Sequence, residues 1–343
     1  MSGKPVLCKL YIVLLAVSIL DSCNGRKVAS APVTPVPEAS SAPLTATVPQ
    51  FNADSAMSYL AAQCAFGPRV PNTRAHADCA AWLAAQFDRM GIRNLTQGFE
   101  TVTFDNTKLQ CYNIIGSINP DCEKRIIVCS HWDSRPWADQ DPDPANHNVP
   151  VMAANDGASG VSVILELARL MQQQPPQIGV DLIFLDAEDW GPGDNYKGRH
   201  KEEYWGLGTQ YWANRARKDN YNARYAILLD MVGGKGARFP QEQYSVHYAK
   251  NTVDKVWSTA QRLGYGSLFP TVQGMYVTDD HTFINKIAGI PAIDIVPCVP
   301  AQDGEASFGP TWHTVSDDFE HIDPKVIEAV GNILADVIYN ERP

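Results

Sequence analysis

Glu188-Asp189-Trp190 closes the apolar run 180–187, and with Asp186 it places three carboxylates within four residues. A β-branched, apolar run that follows Pro175-Pro176 reads as a buried strand. A buried strand has no reason to end in clustered acids unless a cation waits at its tip. Two other runs end alike: 125–130 leads into His131-Trp132-Asp133, and 225–229 leads into Asp230. In open α/β sheets, ligands collect beyond the carboxyl ends of the strands. Asp156, on the turn Asn155-Asp156-Gly157, and His313, in Trp312-His313-Thr314, complete a set of imidazole and carboxylate donors. That set suits zinc with a free carboxylate beside it as a base.

Each residue taken singly has a plainer reading. Asp156 could cap the helix that follows it. Glu188 and Asp189 could be solvated loop acids, although the buried strand before them argues against it. His131 and Asp230 could be ordinary hydrogen-bonded strand ends. Asp280, in Asp279-Asp280-His281, could do no more than favour a helix N-terminus. Trp312 could be core or a pocket wall. Convergence on strand ends favours the metal reading. Glu188 and Asp189 can be aimed to different sides, one toward metal and one free to move protons.

The elements that must hold these residues follow from periodicity. Helices are expected at 53–65, 75–90, 160–173, 209–217, 252–263, 282–288 and 324–340, the last opened by Pro324 at the favoured first turn. Strands are expected at 98–104, 111–118, 125–130, 180–186, 225–231 and 292–296. Alternating strands and helices predict a three-layer αβα fold around a mostly parallel sheet, made mixed by the opening meander.

The chain has 343 residues, 45% apolar, with a formal charge of −10 and no basic cluster, which excludes a nucleic-acid surface. Lys4 and Lys9 precede the apolar stretch 10–20, which is short for a membrane span and fits an export signal. Leu20-Asp21-Ser22-Cys23 resembles a bacterial lipoprotein box, although Asp21 departs from it, so Cys23 is either a lipid anchor or incidental. The expectation is an exported, periplasmic protein with a signal at 1–23, membrane-anchored through Cys23. An Ala/Pro/Ser/Thr-rich tether follows at 24–50 and one catalytic domain at 51–343. Cys64, Cys79, Cys111, Cys122, Cys129 and Cys298 form bridges or remain buried thiols.

The ordered motifs His131-x-Asp133, Asn155-Asp156-Gly157, Glu188-Asp189, Leu229-Asp230 and Trp312-His313-Thr314 are similar to the zinc aminopeptidase superfamily. Within it, four features resemble the glutaminyl cyclases (glutaminyl-peptide cyclotransferases) of the animal-like type, in a bacterial version. They are Thr278-Asp279-Asp280-His281, Trp312 before His313, Phe308 upstream of both, and Ser134-Arg135-Pro136-Trp137. The resemblance covers the chain after the tether.

It implies one zinc per chain bound by Asp156, Asp189 and His313, and a substrate that is a peptide or protein with N-terminal Gln. It implies Glu188 as the proton carrier, with Asp230 and Asp279 sharing protons beside it. Trp312, Phe308, Thr278 and Trp190 would surround the substrate, and the stretch 190–205 would line the entrance. Two positions depart from the family: Asp189 stands where Glu is usual, and Thr278 where animal cyclases have Gln. A two-zinc aminopeptidase is the rival reading, with His131 and Asp230 holding a second metal across Asp156. A non-catalytic binding module is a distant third, because none of the ligands has been lost. Oligomeric state is not legible.

Overall fold

The computed structural model describes residues 47–193, 196–300 and 306–343. The expected signal, the Cys23 box and most of the tether lie outside them. Strands β1 (Arg93–Val102) and β2 (Lys108–Ile118) form an antiparallel pair at one side of a six-stranded sheet. Next to β2 runs β4 (Gly179–Leu185), again antiparallel. From β4 the sheet continues parallel through β3 (Arg125–His131), β5 (Ala226–Leu229) and β6 (Ala292–Ile295). The mixed, mostly parallel sheet expected from the sequence is the one observed.

Because strand side chains alternate, the sheet carries two separate cores. Ile126, Val128, Ile227, Leu229, Ile293 and Ile295 face one of them. Helices α1 (Ala53–Cys64), α2 (Arg74–Arg89), α3 (Ala158–Gln173), α5 (Gln243–Arg262) and α7 (Pro324–Tyr339) contribute to that face. Ile127, Cys129, Leu228 and Ala292 face the other, covered by α4 (Leu207–Lys218) and by the short α6 (Asp280–Phe283) with the π-turn Ile284–Ala288 after it. Strands buried on both faces read as continuous apolar runs, which is why β3 and β4 were legible.

Two aspartates interrupt these runs. Asp181 in β4 is matched by the Arg125 guanidinium (Nε 2.5 Å, Nη2 2.8 Å), with Ser117 and Tyr221 also bonded to it. Asp294 in β6 has no Lys or Arg hydrogen-bonded to it among the described residues.

Several boundaries differ from expectation. Helix α5 begins at Gln243 rather than near 252, since Glu242 caps it by accepting the N–H groups of Tyr244 and Ser245. A kink at Ala249 (φ −141°, ψ 41°) breaks the periodicity that would have revealed its first turns. Strand β1 starts at Arg93 rather than 98; it is largely exposed, so apolar alternation is weak there. The end of the tether packs on the domain: Val48 lies against the core and Gln174 donates to the Thr47 carbonyl at 2.6 Å. The six described cysteines are free thiols, and burial pushes Cys79 and Cys298 up to about 12. Among the described residues no helix is long and apolar enough to cross a membrane.

Candidate active site

The parallel strands deliver their acids to one end of the sheet. His131 is the last residue of β3 and pairs with Leu185, the last of β4, and Trp132 N–H donates to the Leu185 carbonyl at 3.0 Å. Beyond Leu185 the chain turns through Ala187 (φ 50°), and Asp133 accepts the N–H groups of both Glu188 and Asp189 at 3.1 Å. The turn that carries Asp156 is clipped in the same way: Asp317 accepts the N–H groups of Asn155 (2.7 Å) and Asp156 (3.0 Å). Left-handed backbone recurs beside or at these residues, at Gly157, Ala187, Met231 and His313. Such strain persists only where the surroundings over-determine it, and it gathers at functional sites.

One donor atom each from Asp156, Asp189 and His313 lies within 4.8 Å of the others, all three residues buried. His313 Nε2 stands 3.2 Å from Asp189 Oδ1 and 3.6 Å from Asp156 Oδ2. Ligands about 2.1 Å from a tetrahedral zinc are separated by about 3.4 Å, so the spacing fits that ion. Asp189 Oδ2 is buried with no hydrogen-bond partner, as an oxygen reserved for a metal would be. Asp156 is not the helix cap: Gly157 occupies the N-cap of α3, without a side-chain cap bond.

Behind this cluster stands a fork that sequence reasoning missed. Arg135 grips Asp139 with two bonds of 2.7 Å and reaches Asp189 Oδ1 at 3.2 Å and the carbonyls of Asp189 and Gly191. Asp139 Oδ1 lies 3.5 Å from His313 Nδ1, orienting Nε2 toward the cluster. Burial opposes the Asp139 charge, but the Arg135 fork holds its carboxyl well below the usual range. Burial raises Asp189, and the neighbouring His313 only partly offsets it. The sequence signal was there to find: an arginine four residues before an aspartate, in the loop that leaves β3.

A second group of acids adjoins the first. His131 Nε2 is 2.9 Å from Asp156 Oδ1 and 3.2 Å from Asp230 Oδ1. Burial disfavours a charge on His131, yet its bonds to Asp133, Asp156 and Asp230 raise it well above an ordinary imidazole. Asp230 is raised to about 7 by burial and by the charges of Asp156 and Asp279, against the His131 bond. Glu188 is raised well above the carboxylate range by burial and then by Asp279. Asp279 caps α6 through the Asp280 N–H. Asp280, which the sequence offered as a helix-end acid, is itself fully buried.

Aromatic rings wall the site. Trp312 stacks on the His313 imidazole at 4.0 Å and packs tilted against Phe308 at 4.8 Å, and Trp312 and Phe308 join a small cluster with Met231, Val277, Val296 and Cys298. Trp205 lies parallel to His313 on centroids 6.3 Å apart and, with Trp137, brackets the Arg135 guanidinium at 5.1 and 5.2 Å. Thr278 is half-buried between Val277 and Asp279. Trp190 packs edge-on to Trp137 at 5.8 Å and against Phe99, Leu109 and Cys111, so it forms an outer wall and Trp205 the inner one. A surface hollow of about 850 Å³ lined by Arg224, Lys255 and Glu341 shares no residue with this site. It adjoins the start of β5, at the opposite end of the parallel strands.

Known proteins share the fold of this chain. Residues 113–338 match the model of peptidase family M28. A Bacteroides thetaiotaomicron glutaminyl cyclase, solved bound to N-acetylhistamine, is 49% identical with a TM-score of 0.82, covering 86% of this chain and 100% of that one. A structure from the same organism described as a leucine aminopeptidase precursor is 48% identical with a TM-score of 0.82, covering 87% of this chain and 100% of that one. The glutaminyl-peptide cyclotransferase of the snake Boiga irregularis is 25% identical over 250 residues, 65% of this chain and 63% of that protein. The chain thus spans slightly less than two thirds of the length of that curated relative.

Proposed function

The chain belongs to peptidase family M28, and from that premise we propose that it is a glutaminyl cyclase, converting N-terminal Gln of peptides or proteins to pyroglutamate with release of ammonia. Asp156, Asp189 and His313 would hold one zinc. When bound, the ion polarises the oxygen of the substrate's γ-carboxamide. The α-amine attacks the γ-carboxamide carbon, a C–N bond forms, and the bond to the amide nitrogen breaks. Glu188, buried and raised in proton affinity, takes the proton of the attacking amine and returns it to the departing nitrogen, which leaves as ammonia. Asp230 and Asp279 stand beside it and would share protons with it in a short network. Trp312 and Phe308 form the wall on which the Gln side chain folds back toward its own amine, and Thr278 lies at the edge of that pocket.

The observation that carries this reading over a two-zinc peptidase is the position of His131. Its Nε2 is 2.9 Å from Asp156 Oδ1, a hydrogen-bond distance shorter than the edge of a zinc tetrahedron, whereas His313 Nε2 stands 3.2 Å from Asp189 Oδ1 and 3.6 Å from Asp156 Oδ2, on either side of that edge. The peptidase reading draws on a second trio that shares Asp156, since His131, Asp156 and Asp230 also bring donor atoms within 4.8 Å. Gln-Phe-Ala and Leu-Phe-Ala separate the two. A cyclase blocks the first, releases ammonia, leaves all peptide bonds intact and ignores the second. Free Leu or free Gln released at a substantial rate would establish the peptidase. Export and anchoring through Cys23 complete the proposal; Cys23→Ser is expected to move the protein from the membrane to the soluble fraction.

A further inference from the structure

Behind Asp279 lies a buried acid–imidazole group to which the mechanism above gives no task. Asp294 sits in the middle of β6, fully buried, and neither of its carboxylate oxygens has a hydrogen-bond partner among the described residues. His281 Nδ1 is 3.6 Å from Asp294 Oδ2, and Asp279, His281 and Asp294 bring one atom each within 4.8 Å. Asp279 Oδ2 and His281 Nδ1 are likewise buried and unsatisfied. Only the far side of the imidazole is anchored, with Nε2 3.0 Å from Glu242 Oε2. Glu242 also accepts the N–H groups of Tyr244, Ser245 and Val277 and the Ser245 hydroxyl, a donor shell that fits an anion and fixes a proton on His281 Nε2.

An interior carboxylate is held by hydrogen-bond donors, by a cation or by a proton of its own, and Asp294 has none of the first. Asp181 has the cation, Arg125. Around Asp294 stand Asp279 at the N-cap of α6, His281 within it, Glu242 at the start of α5, Asp230 just past β5, and the Cys129 thiol of β3. One imidazole stands among three other carboxylates. We propose that Asp294 is a positioning residue held as the neutral acid, whose O–H bonds Asp279 and holds that side chain in place beside Glu188. Asp279 Oδ1 already accepts the Asp280 N–H, so a second donor on Oδ2 satisfies both oxygens of that side chain. Burial, and then the charges of Asp279, Asp230 and Glu242, raise Asp294 well above the carboxylate range, in keeping with the geometry. The role of Asp279 rests on the cyclase reading; the proton on Asp294 does not.

The test uses the zinc-loaded full chain, compared with Asp294→Asn and Asp294→Ala. In the infrared spectrum of protein carrying ¹³C-labelled Asp, wild type minus Asp294→Asn at neutral pH is expected to show the carbonyl band of a protonated carboxyl. On Gln-Phe-Ala, Asn, which has the same shape and N–H donors, is expected to keep kcat within roughly fivefold and leave the acid limb of the pH profile in place. Ala removes the donor: kcat should fall roughly 10- to 100-fold with KM within about twofold, and the acid limb should move as Asp279 loses its hydrogen-bond donor. Absence of the band overturns the proposal, as does Asn as damaging as Ala. A merely structural role would lower the melting temperature of Asp294→Ala without moving the acid limb, and a zinc equivalent lost in Asp294→Asn would make Asp294 a ligand; either refutes it. If the Ala variant does not fold, the infrared comparison still decides. If wild type makes no pyroglutamate, the cyclase reading fails while the band still reports on Asp294.

Discussion

Glu188 and Asp189 are joined by one peptide bond and share a clip, Asp133, yet their surroundings divide them. Asp189 meets Arg135 and His313; Glu188 meets Asp279. In the proposed mechanism this separates metal holding from proton transfer, and substitution should read it out. Glu188→Gln is expected to keep zinc, measured by metal analysis, while kcat falls roughly 100-fold or more, because the amide has the same shape but carries no exchangeable proton of the right affinity. His313→Ala and Asp156→Ala should lose zinc and activity together. Zinc loss in Glu188→Gln would mean that the two neighbours have exchanged roles. Arg135→Met should loosen zinc through Asp189 and Asp139, weakening metal affinity about 10- to 100-fold in chelator competition. Unchanged affinity would reduce the fork to packing.

At the scale of elements, the site depends on turns that allow little room. A Cβ on Gly157 (φ 108°) would meet the Asp133 carbonyl at 2.8 Å, and one on Gly160 would meet Ser130 Oγ at 2.3 Å and the Leu229 carbonyl at 2.5 Å. The first turn of α3 is therefore pressed onto the tips of β3 and β5. Gly160→Ala should cost about 1–3 kcal/mol in urea melts, and Gly157→Ala should in addition weaken zinc by displacing Asp156; a neutral result at both positions would mean the turn relaxes freely. The strands and the residues at their ends were readable because a strand buried on both faces leaves an unbroken apolar run that makes the terminal acids conspicuous. What escaped reading acts through tertiary approach. Nothing in the sequence marks Asp317 as the clip under Asn155 and Asp156, Arg135 was only part of a motif, and Trp205 was only the end of the stretch 190–205 expected at the entrance. Asp294 had a local signal, a lone acid in Ala292-Ile293-Asp294-Ile295, but its meaning depends on the neighbouring α6.

The whole molecule concentrates buried carboxylates at one end of the sheet, and its stability should respond to pH accordingly. Burial raises Asp230 and Asp317 to about 7 in the folded chain, against an unfolded value of 3.8. A raised folded value means stability that is full below the unfolded value and lost as pH climbs through the folded one. His131 and His313, also raised, act in the same direction. Metal-free protein should therefore lose melting temperature as pH rises from about 5 to 8, and zinc should restore it most at the upper end, where a cation replaces the missing protons. A metal-free melting curve flat across that window would show that these groups do not titrate as a buried set.

Trp312 and Trp205 both stack on the His313 ring, with centroids 4.0 and 6.3 Å away. Protonated imidazole quenches indole emission, and metal binding displaces that proton. The protein therefore carries its own optical gauge of occupancy: zinc added to the metal-free chain should brighten tryptophan fluorescence in proportion to filling. Trp312→Phe should remove most of that signal, since its ring is the nearer of the two.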